Sequence, residues 1–137
     1  MENYRLEPIG WIRSELKNTK DAPRFYTDDG APNARLELDA RLCDALDGIK
    51  VGDDIVILTW LHLANRDTRK VHPRGDLTRP KRGVFSTRSP HRPNPLGLHR
   101  AKVLAIDQNV VSIGPIEAID GTPVVDIKCV VNLSADD

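Results

Sequence analysis

The chain has little sulfur and few rings: two cysteines, one methionine and 4% aromatic residues. Cys43 and Cys129 lie far apart in sequence and form no metal-ligand cluster. One disulfide is allowed by count, but two buried free thiols are the expectation for a cytosolic chain. No apolar run approaches the length that spans a bilayer. The opening MENYRLEPIG has no apolar signal core. The expectation is a cytoplasmic protein with no membrane partner. No GxGxxG, GxxxxGK[ST] or GxSxG pattern is present, which argues against dinucleotide, P-loop and α/β-hydrolase chemistry. His62, His72, His91 and His99 are not at HExxH spacing and have no nearby Glu, so a zinc site built from them is only a weak alternative and no metal is expected. His62, just after a strong apolar run, reads as a core-edge histidine bonded to backbone.

What is present is an uneven charge. The 137 residues carry 20 basic and 20 acidic groups, a formal net charge of zero. Between His62 and Lys102 stand eleven Lys or Arg against two Asp, so that segment carries +9 and the remainder −9. All four histidines lie in the same segment. Such a split points to a positive surface for an anionic partner: RNA, a nucleotide or an anionic metabolite. The alternative is a solvated face whose arginines pair with acidic residues elsewhere in the fold.

The length fits one domain, residues 1–137. Residues 4–12 read as a strand. Residues 14–32 are polar and turn-rich, a long loop or functional arm. ARLELD alternates and predicts a half-buried strand. Asp39 then caps a short helix, with Leu42, Leu46 and Ile49 inward. DIVILTWLHL, residues 54–63, is nearly continuous in apolar character and predicts a core strand covered on both faces. Residues 64–81 lose all periodicity. A short extended piece is expected at 83–85, and prolines at 90, 93 and 95 forbid helix or central strand there. Strands follow at 101–106, 110–113 and 123–131, with a tight turn at 107–109. Asp120-Gly121 signals a hairpin. No βαβ rhythm appears. The fold class is therefore all-β: a mainly antiparallel, barrel-like domain with one short helix and long loops.

Residues 82–98, RGVFSTRSPHRPNPLGL, stand out as a ligand-binding loop. Arg82, Arg88 and Arg92 supply rigid donor forks for carboxylate or phosphate. Pro90, Pro93 and Pro95 stiffen the path, so donors are held ready at low entropic cost. Asn94 can meet an adenine edge or pin the loop internally. The bland account is that the prolines only shape a connection and the arginines are solvated. A second candidate is Asp120-Gly121-Thr122-Pro123 followed by Asp126-Ile127-Lys128, either a ligand wall or merely a hairpin. A third is Pro23-Arg24 in the arm.

RGVFSTRSPHRPNPLGL followed by DGTPVVDIK, with the opening IGWIRSELKNTKDAPR, resembles the TsaA-like or TrmO-like family of S-adenosylmethionine-dependent tRNA methyltransferases. The resemblance runs from Ile9 to Lys128. It implies a β-barrel-like homodimer without the doubly wound layout, and S-adenosyl-L-methionine held near the subunit interface. The implied reaction is methylation of N6 of a threonylcarbamoyl-modified adenosine beside the anticodon of tRNA. On the matching positions, Phe85, Thr87, Arg88, Ser89, Arg92, Asn94, Pro95 and Leu96 belong to the cofactor loop. Asp120, Gly121, Thr122 and Pro123 form a second wall, and Arg24 lies on the substrate side. The basic segment, with Arg69 and Lys70, becomes a docking surface for the anticodon stem-loop. The pattern departs from the family at Cys129-Val130, where Pro-Tyr is usual.

Methyl transfer from a sulfonium needs the acceptor nitrogen in line with the departing sulfur. A substituted N6 is a weak nucleophile, so a group that takes its proton helps. Asp126 and His91 are the candidates. Two other readings use the same loop: a methyltransferase for a small metabolite, and a non-catalytic nucleotide- or RNA-binding module.

Overall fold

The computed structural model describes residues 3–18 and 31–131. Among the described residues eight strands form: β1 (Gly10–Arg13), β2 (Ala34–Leu38), β3 (Asp54–Trp60), β4 (Lys70–Val71), β5 (Arg82–Gly83), β6 (Leu96–Asp107), β7 (Val110–Gly114) and β8 (Pro123–Cys129). Six of them close into an antiparallel barrel in the order β1-β2-β7-β6-β3-β8. β4 and β5 pair separately as a two-stranded ribbon. The all-β, barrel-like fold with long loops is the one expected. Among the described residues, no helix is long and apolar enough to cross a membrane.

Alternation explains the wall. β2 buries Ala34, Leu36 and Leu38 and turns Arg35 and Glu37 outward. β3 buries only Ile55, Ile57 and Thr59, while the residues between them stay half-buried. This corrects the expectation that β3 is covered on both faces, because a closed single-layer barrel has one interior and one outer surface. β6 begins at Leu96, earlier than its predicted start. Gly97, His99, Ala101 and Val103 all turn inward along it. Ile12, Leu36, Ile55, Ile57, Val103, Val111, Ile113 and Val124 fill the centre.

The short helix spans Ala40–Leu46 and is 3-10 rather than α. Asp39 caps it as expected, its Oδ1 accepting the Arg41 N–H at 3.0 Å. Only Leu46 is buried in it, and Leu42 faces solvent. A threefold repeat does not hold i and i+4 on one face, which is why the predicted inward set fails at Leu42. Ile49 does pack against the core. Both cysteines are free, but Cys43 is half-buried and Cys129 exposed, so the expected burial is not found.

β1 ends and β2 begins at one end of the barrel, and the connections 61–95 between β3 and β6 and 115–122 between β7 and β8 leave at that same end. The opposite end carries the short helix and the tight 107–109 turn, where Gln108 takes a φ of 54°. β7 and β8 are not neighbours in the barrel, so residues 115–122 cross the mouth between opposite walls. Ile116, Ala118 and Ile119 are buried in that crossing and plug the opening. The hairpin expected at Asp120-Gly121 therefore does not form. Gly121 instead turns the chain down into β8 with a φ of +83°, a conformation that favours glycine.

Candidate functional site

Two of the segments that the sequence singled out, the loop of residues 82–98 and the Asp120–Pro123 turn, lie at this end of the barrel. Of the arm, only its two roots are visible, because Pro23 and Arg24 lie outside the described residues. The central loop rises from the end of β3, runs out along the ribbon and returns through residues 84–95 into β6.

Its inner part is braced by its own side chains. Val84 is buried and anchors a single 3-10 turn, Val84–Ser86. The Arg92 guanidinium reaches back over that turn. Its Nη2 donates to the Val84 carbonyl at 2.9 Å, and its Nη1 donates to the Ser89 and Thr87 carbonyls at 3.0 and 3.3 Å. Thr87 Oγ1 donates to the Val84 carbonyl at 3.0 Å and accepts the Ser89 N–H at 3.2 Å. Ser89 Oγ accepts the His91 N–H at 3.2 Å. Thr87, Ser89 and Arg92, all expected to face a ligand, are thus committed to holding the loop.

Arg66 braces the other limb. Its guanidinium lies 5.1 Å from the Trp60 ring centroid, a cation–π contact. Nε donates to the Pro93 carbonyl at 2.8 Å and Nη2 to Asn94 Oδ1 at 3.2 Å. Of the two uses foreseen for Asn94, internal pinning is the one seen. Pro95 is buried where the loop enters β6, and Leu96 is exposed on the outer wall.

Two of the exposed side chains, Phe85 and Arg88, take no part in this bracing. Phe85 is 81% exposed, an unusual position for a large ring. Arg88 is exposed and, among the described residues, makes no ion pair. A planar apolar face and an uncommitted guanidinium, on a stiffened loop, are what a flat base and a carboxylate require.

The second wall is tied down as well. Asp120 Oδ1 accepts the Ser14 N–H at 2.9 Å, and its Oδ2 lies 3.2 Å from Lys17 Nζ. The Ser14 hydrogen bond, with Lys17 beside it, holds the Asp120 carboxyl below its ordinary value. Thr122 is buried, its hydroxyl donating to the Ile119 carbonyl at 2.7 Å. The Gly121 N–H donates to the Ile12 carbonyl at 2.7 Å, and Pro123 starts β8 half-buried. These residues dock the crossing segment on β1 and on the root of the arm.

The two proton-acceptor candidates stand apart, with no hydrogen bond between them among the described residues. His91 is exposed, and its Nδ1 accepts the Asn65 N–H at 2.9 Å. A neutral ring so held carries its proton on Nε2 and offers a donor there, not a base. Asp126 sits half-buried on β8 opposite Leu58 of β3, itself opposite Leu98 of β6. Its Oδ1 accepts the Ile127 N–H at 2.9 Å, and Oδ2 is 3.6 Å from Lys128 Nζ. Asp126 and Lys128 share a face, as alternation predicts.

The ribbon answers the question left open by the charge count. Lys70 lies opposite Gly83 and Val71 opposite Arg82, which gathers Arg69, Lys70, Lys81 and Arg82 together. These four, with Arg79, are exposed, and none makes an ion pair among the described residues. Among the described residues, the acidic remainder of the fold makes no close ion pair with this ribbon.

One cluster escaped the sequence reading. Inside the barrel mouth, Thr59 Oγ1 lies 2.7 Å from His99 Nε2, and His99 Nδ1 lies 2.6 Å from Glu117 Oε1. The signal was available in the alternation of Gly97, His99, Ala101 and Val103, which marks His99 as inward. His62, expected at the core edge, is exposed instead.

The molecule is thus a closed six-stranded barrel with a stiffened, donor-bearing loop and an exposed basic ribbon at one mouth. The family model "tRNA-methyltransferase O N-terminal domain" matches residues 11–136, and the chain belongs to that family. It is 46% identical over 129 residues to a probable S-adenosyl-L-methionine-binding protein of Methanocaldococcus jannaschii, covering 91% of this chain and 90% of the relative. It is 35% identical to the mouse tRNA (adenine(37)-N6)-methyltransferase, covering 92% of this chain and 30% of that protein. Among solved structures, TrmO from Pseudomonas aeruginosa superposes with a TM-score of 0.75 at 29% identity, covering 95% of this chain. This chain spans 57% of that structure's length.

Proposed function

We propose that this chain is an S-adenosylmethionine-dependent methyltransferase that acts in the cytoplasm on tRNA, at N6 of the threonylcarbamoyl-modified adenosine beside the anticodon. The observation that carries the reading is the exposed pair Phe85 and Arg88 on a loop whose other polar side chains brace the loop itself. Family membership and the names of the relatives support it.

The donor set fits the cofactor. Arg88 is placed to hold a carboxylate, and Phe85 to cover one face of an adenine. Bound there, S-adenosylmethionine supplies an electrophilic methyl group on a sulfonium. The protein's part is then to orient the acceptor, exclude water and receive a proton. Asp126 is the better proton acceptor of the two candidates, because its carboxylate keeps lone pairs free while the His91 ring presents an N–H. Arg69 and Lys70, with the rest of the ribbon, hold the phosphates of the anticodon arm. Arg24 belongs to the same substrate side by resemblance. The outer wall of β3 and β6 carries Leu58, Trp60, Leu96 and Leu98 in facing register, with Leu96 42% and Leu98 51% exposed. That apolar face is the surface we assign to the homodimer contact.

Titration calorimetry with S-adenosylmethionine tests the cofactor, and methyl transfer to tRNA with and without the threonylcarbamoyl group tests the acceptor. Arg88→Ala should weaken cofactor binding at least tenfold, about 1.4 kcal/mol. An unchanged Kd contradicts the assigned role. Transfer to neither tRNA pool refutes the acceptor.

A further inference from the structure

The buried polar side chains beneath the site have no part in the reading above. Thr59 is wholly buried on β3, His99 is 5% exposed on β6, and Glu117 sits in the crossing segment with a largely buried side chain. Their order, hydroxyl to imidazole to carboxylate, is that of a hydrolytic triad. A hydroxyl with no solvent-accessible surface has no route to a substrate, so attack by Thr59 is excluded. With Glu117 ionised, His99 Nδ1 donates to the carboxylate. The second carboxylate oxygen, Oε2, is buried with no hydrogen-bond partner among the described residues. The bond to His99 is therefore the polar anchor of Glu117.

Position gives these contacts a consequence. Thr59 pairs with Gly97 across β3 and β6, and its hydroxyl reaches diagonally to His99. A Cβ on Gly97 would overlap Thr59 Oγ1 and lie 2.7 Å from His99 Nε2. The Thr59–His99 contact thus lies directly under the last turn of the ligand loop, two residues beyond Pro95. Glu117 belongs to the other wall, three residues before Asp120. β3 and β6 share a backbone ladder here, but the crossing segment does not join it at Glu117 and is tied to them through the short His99–Glu117 hydrogen bond.

We propose that Thr59, His99 and Glu117 are positioning residues: a buried relay that couples the Pro95-Leu96-Gly97 end of the ligand loop to the crossing segment 115–122. The two walls of the site then order together. The relay rests on the reading of residues 84–96 as the cofactor loop only where affinity is concerned. Its structural claim stands without ligand, and both are tested in the full-length chain.

Amide hydrogen exchange is measured on the wild type, Thr59→Val, Glu117→Gln and the core control Ile55→Val. The relay predicts that Thr59→Val and Glu117→Gln each speed exchange at both Leu96-Gly97 and Glu117-Ala118, whichever segment carries the substitution. Ile55→Val should lower stability without singling out these amides. Faster exchange confined to the substituted segment overturns the proposal. A strongly downfield Nδ1 proton of His99 is expected in the wild type and lost in Glu117→Gln, and its absence from the wild type also overturns it. S-adenosylmethionine affinity should fall about tenfold in Thr59→Val, recover in Thr59→Ser and stay unchanged in Ile55→Val. A fall of the same size in Ile55→Val reduces the relay to general stability and refutes it. If the wild type binds no S-adenosylmethionine, the cofactor reading fails, and the exchange data alone decide the relay.

Discussion

Arg92→Ala should uncouple the order of the ligand loop from the stability of the barrel. The guanidinium makes three hydrogen bonds to carbonyls of the loop it closes. A hydrogen bond from a charged donor contributes about 1.5–3 kcal/mol net. Two features reduce the total. The Val84 carbonyl keeps the Thr87 N–H and hydroxyl as donors, so it is not orphaned. The site is also only partly buried, and water replaces the guanidinium at the other two carbonyls. The loss left over is about 2 kcal/mol, borne locally because the loop adds only Val84 to the buried set between β5 and Pro95. If cofactor binds the ordered loop, Kd should rise about 30-fold. The melting temperature should change little. Calorimetric titration with S-adenosylmethionine beside a thermal melt measures both. Arg92→Lys should restore only a small part, since an ammonium cannot span carbonyls from Val84 to Ser89 as a planar fork does. A variant with wild-type affinity refutes the bracing role, and a variant that unfolds refutes its locality.

Gly97→Ala should destabilise the fold by about 1–3 kcal/mol through overpacking against Thr59, His99 and Leu61; a wild-type melting curve contradicts the close approach. Arg69→Ala and Lys70→Ala should each weaken tRNA binding and lower the slope of log K against log salt by about one, whereas a slope equal to the wild type shows that the residue meets no phosphate. Asp120, held below its ordinary value by the Ser14 N–H and Lys17, binds its proton less tightly in the folded state than in the unfolded. Its contribution is therefore full above the unfolded value of about 4 and is lost as pH falls through the folded one. Asp120→Asn should flatten the acid limb of a stability–pH curve measured by urea unfolding, and an acid limb parallel to that of the wild type removes the linkage.

The barrel was legible because its strands alternate and no proline lies in a strand interior, Pro123 standing at the first position of β8. ARLEL and VVSIG show which residues turn inward, and three prolines between 90 and 95 show where β6 cannot begin. Two things were hidden, for related reasons. Closure is a property of pairing between strands distant in sequence, so DIVILTW read as covered on both faces when one is merely the outer wall. The route of residues 115–122 depends on which strands are neighbours, and Asp120-Gly121 has the local chemistry of a hairpin turn even though its flanking strands stand apart. The cluster of Thr59, His99 and Glu117 was lost through the same gap, because its members meet only once the barrel is closed.

The hydroxyls and guanidinium of the loop motif show a different limit. STRSPHRPN reads as a row of ligand donors, yet Thr87, Ser89 and Arg92 hold backbone and leave Arg88 and Phe85 to face outward. A short polar loop without regular structure must satisfy its own carbonyls and N–H groups before it can offer any to a ligand. Donor-rich sequence in such a loop therefore measures the cost of its shape as much as its affinity for a partner. The ribbon is the opposite case. Arg69, Lys70, Lys81 and Arg82 sit together and make no ion pair among the described residues, and their mutual repulsion weakens the ribbon in isolation. Like charges gathered this way are stabilised by a polyanion, which makes the ribbon the part of this molecule whose arrangement a bound phosphate backbone explains best.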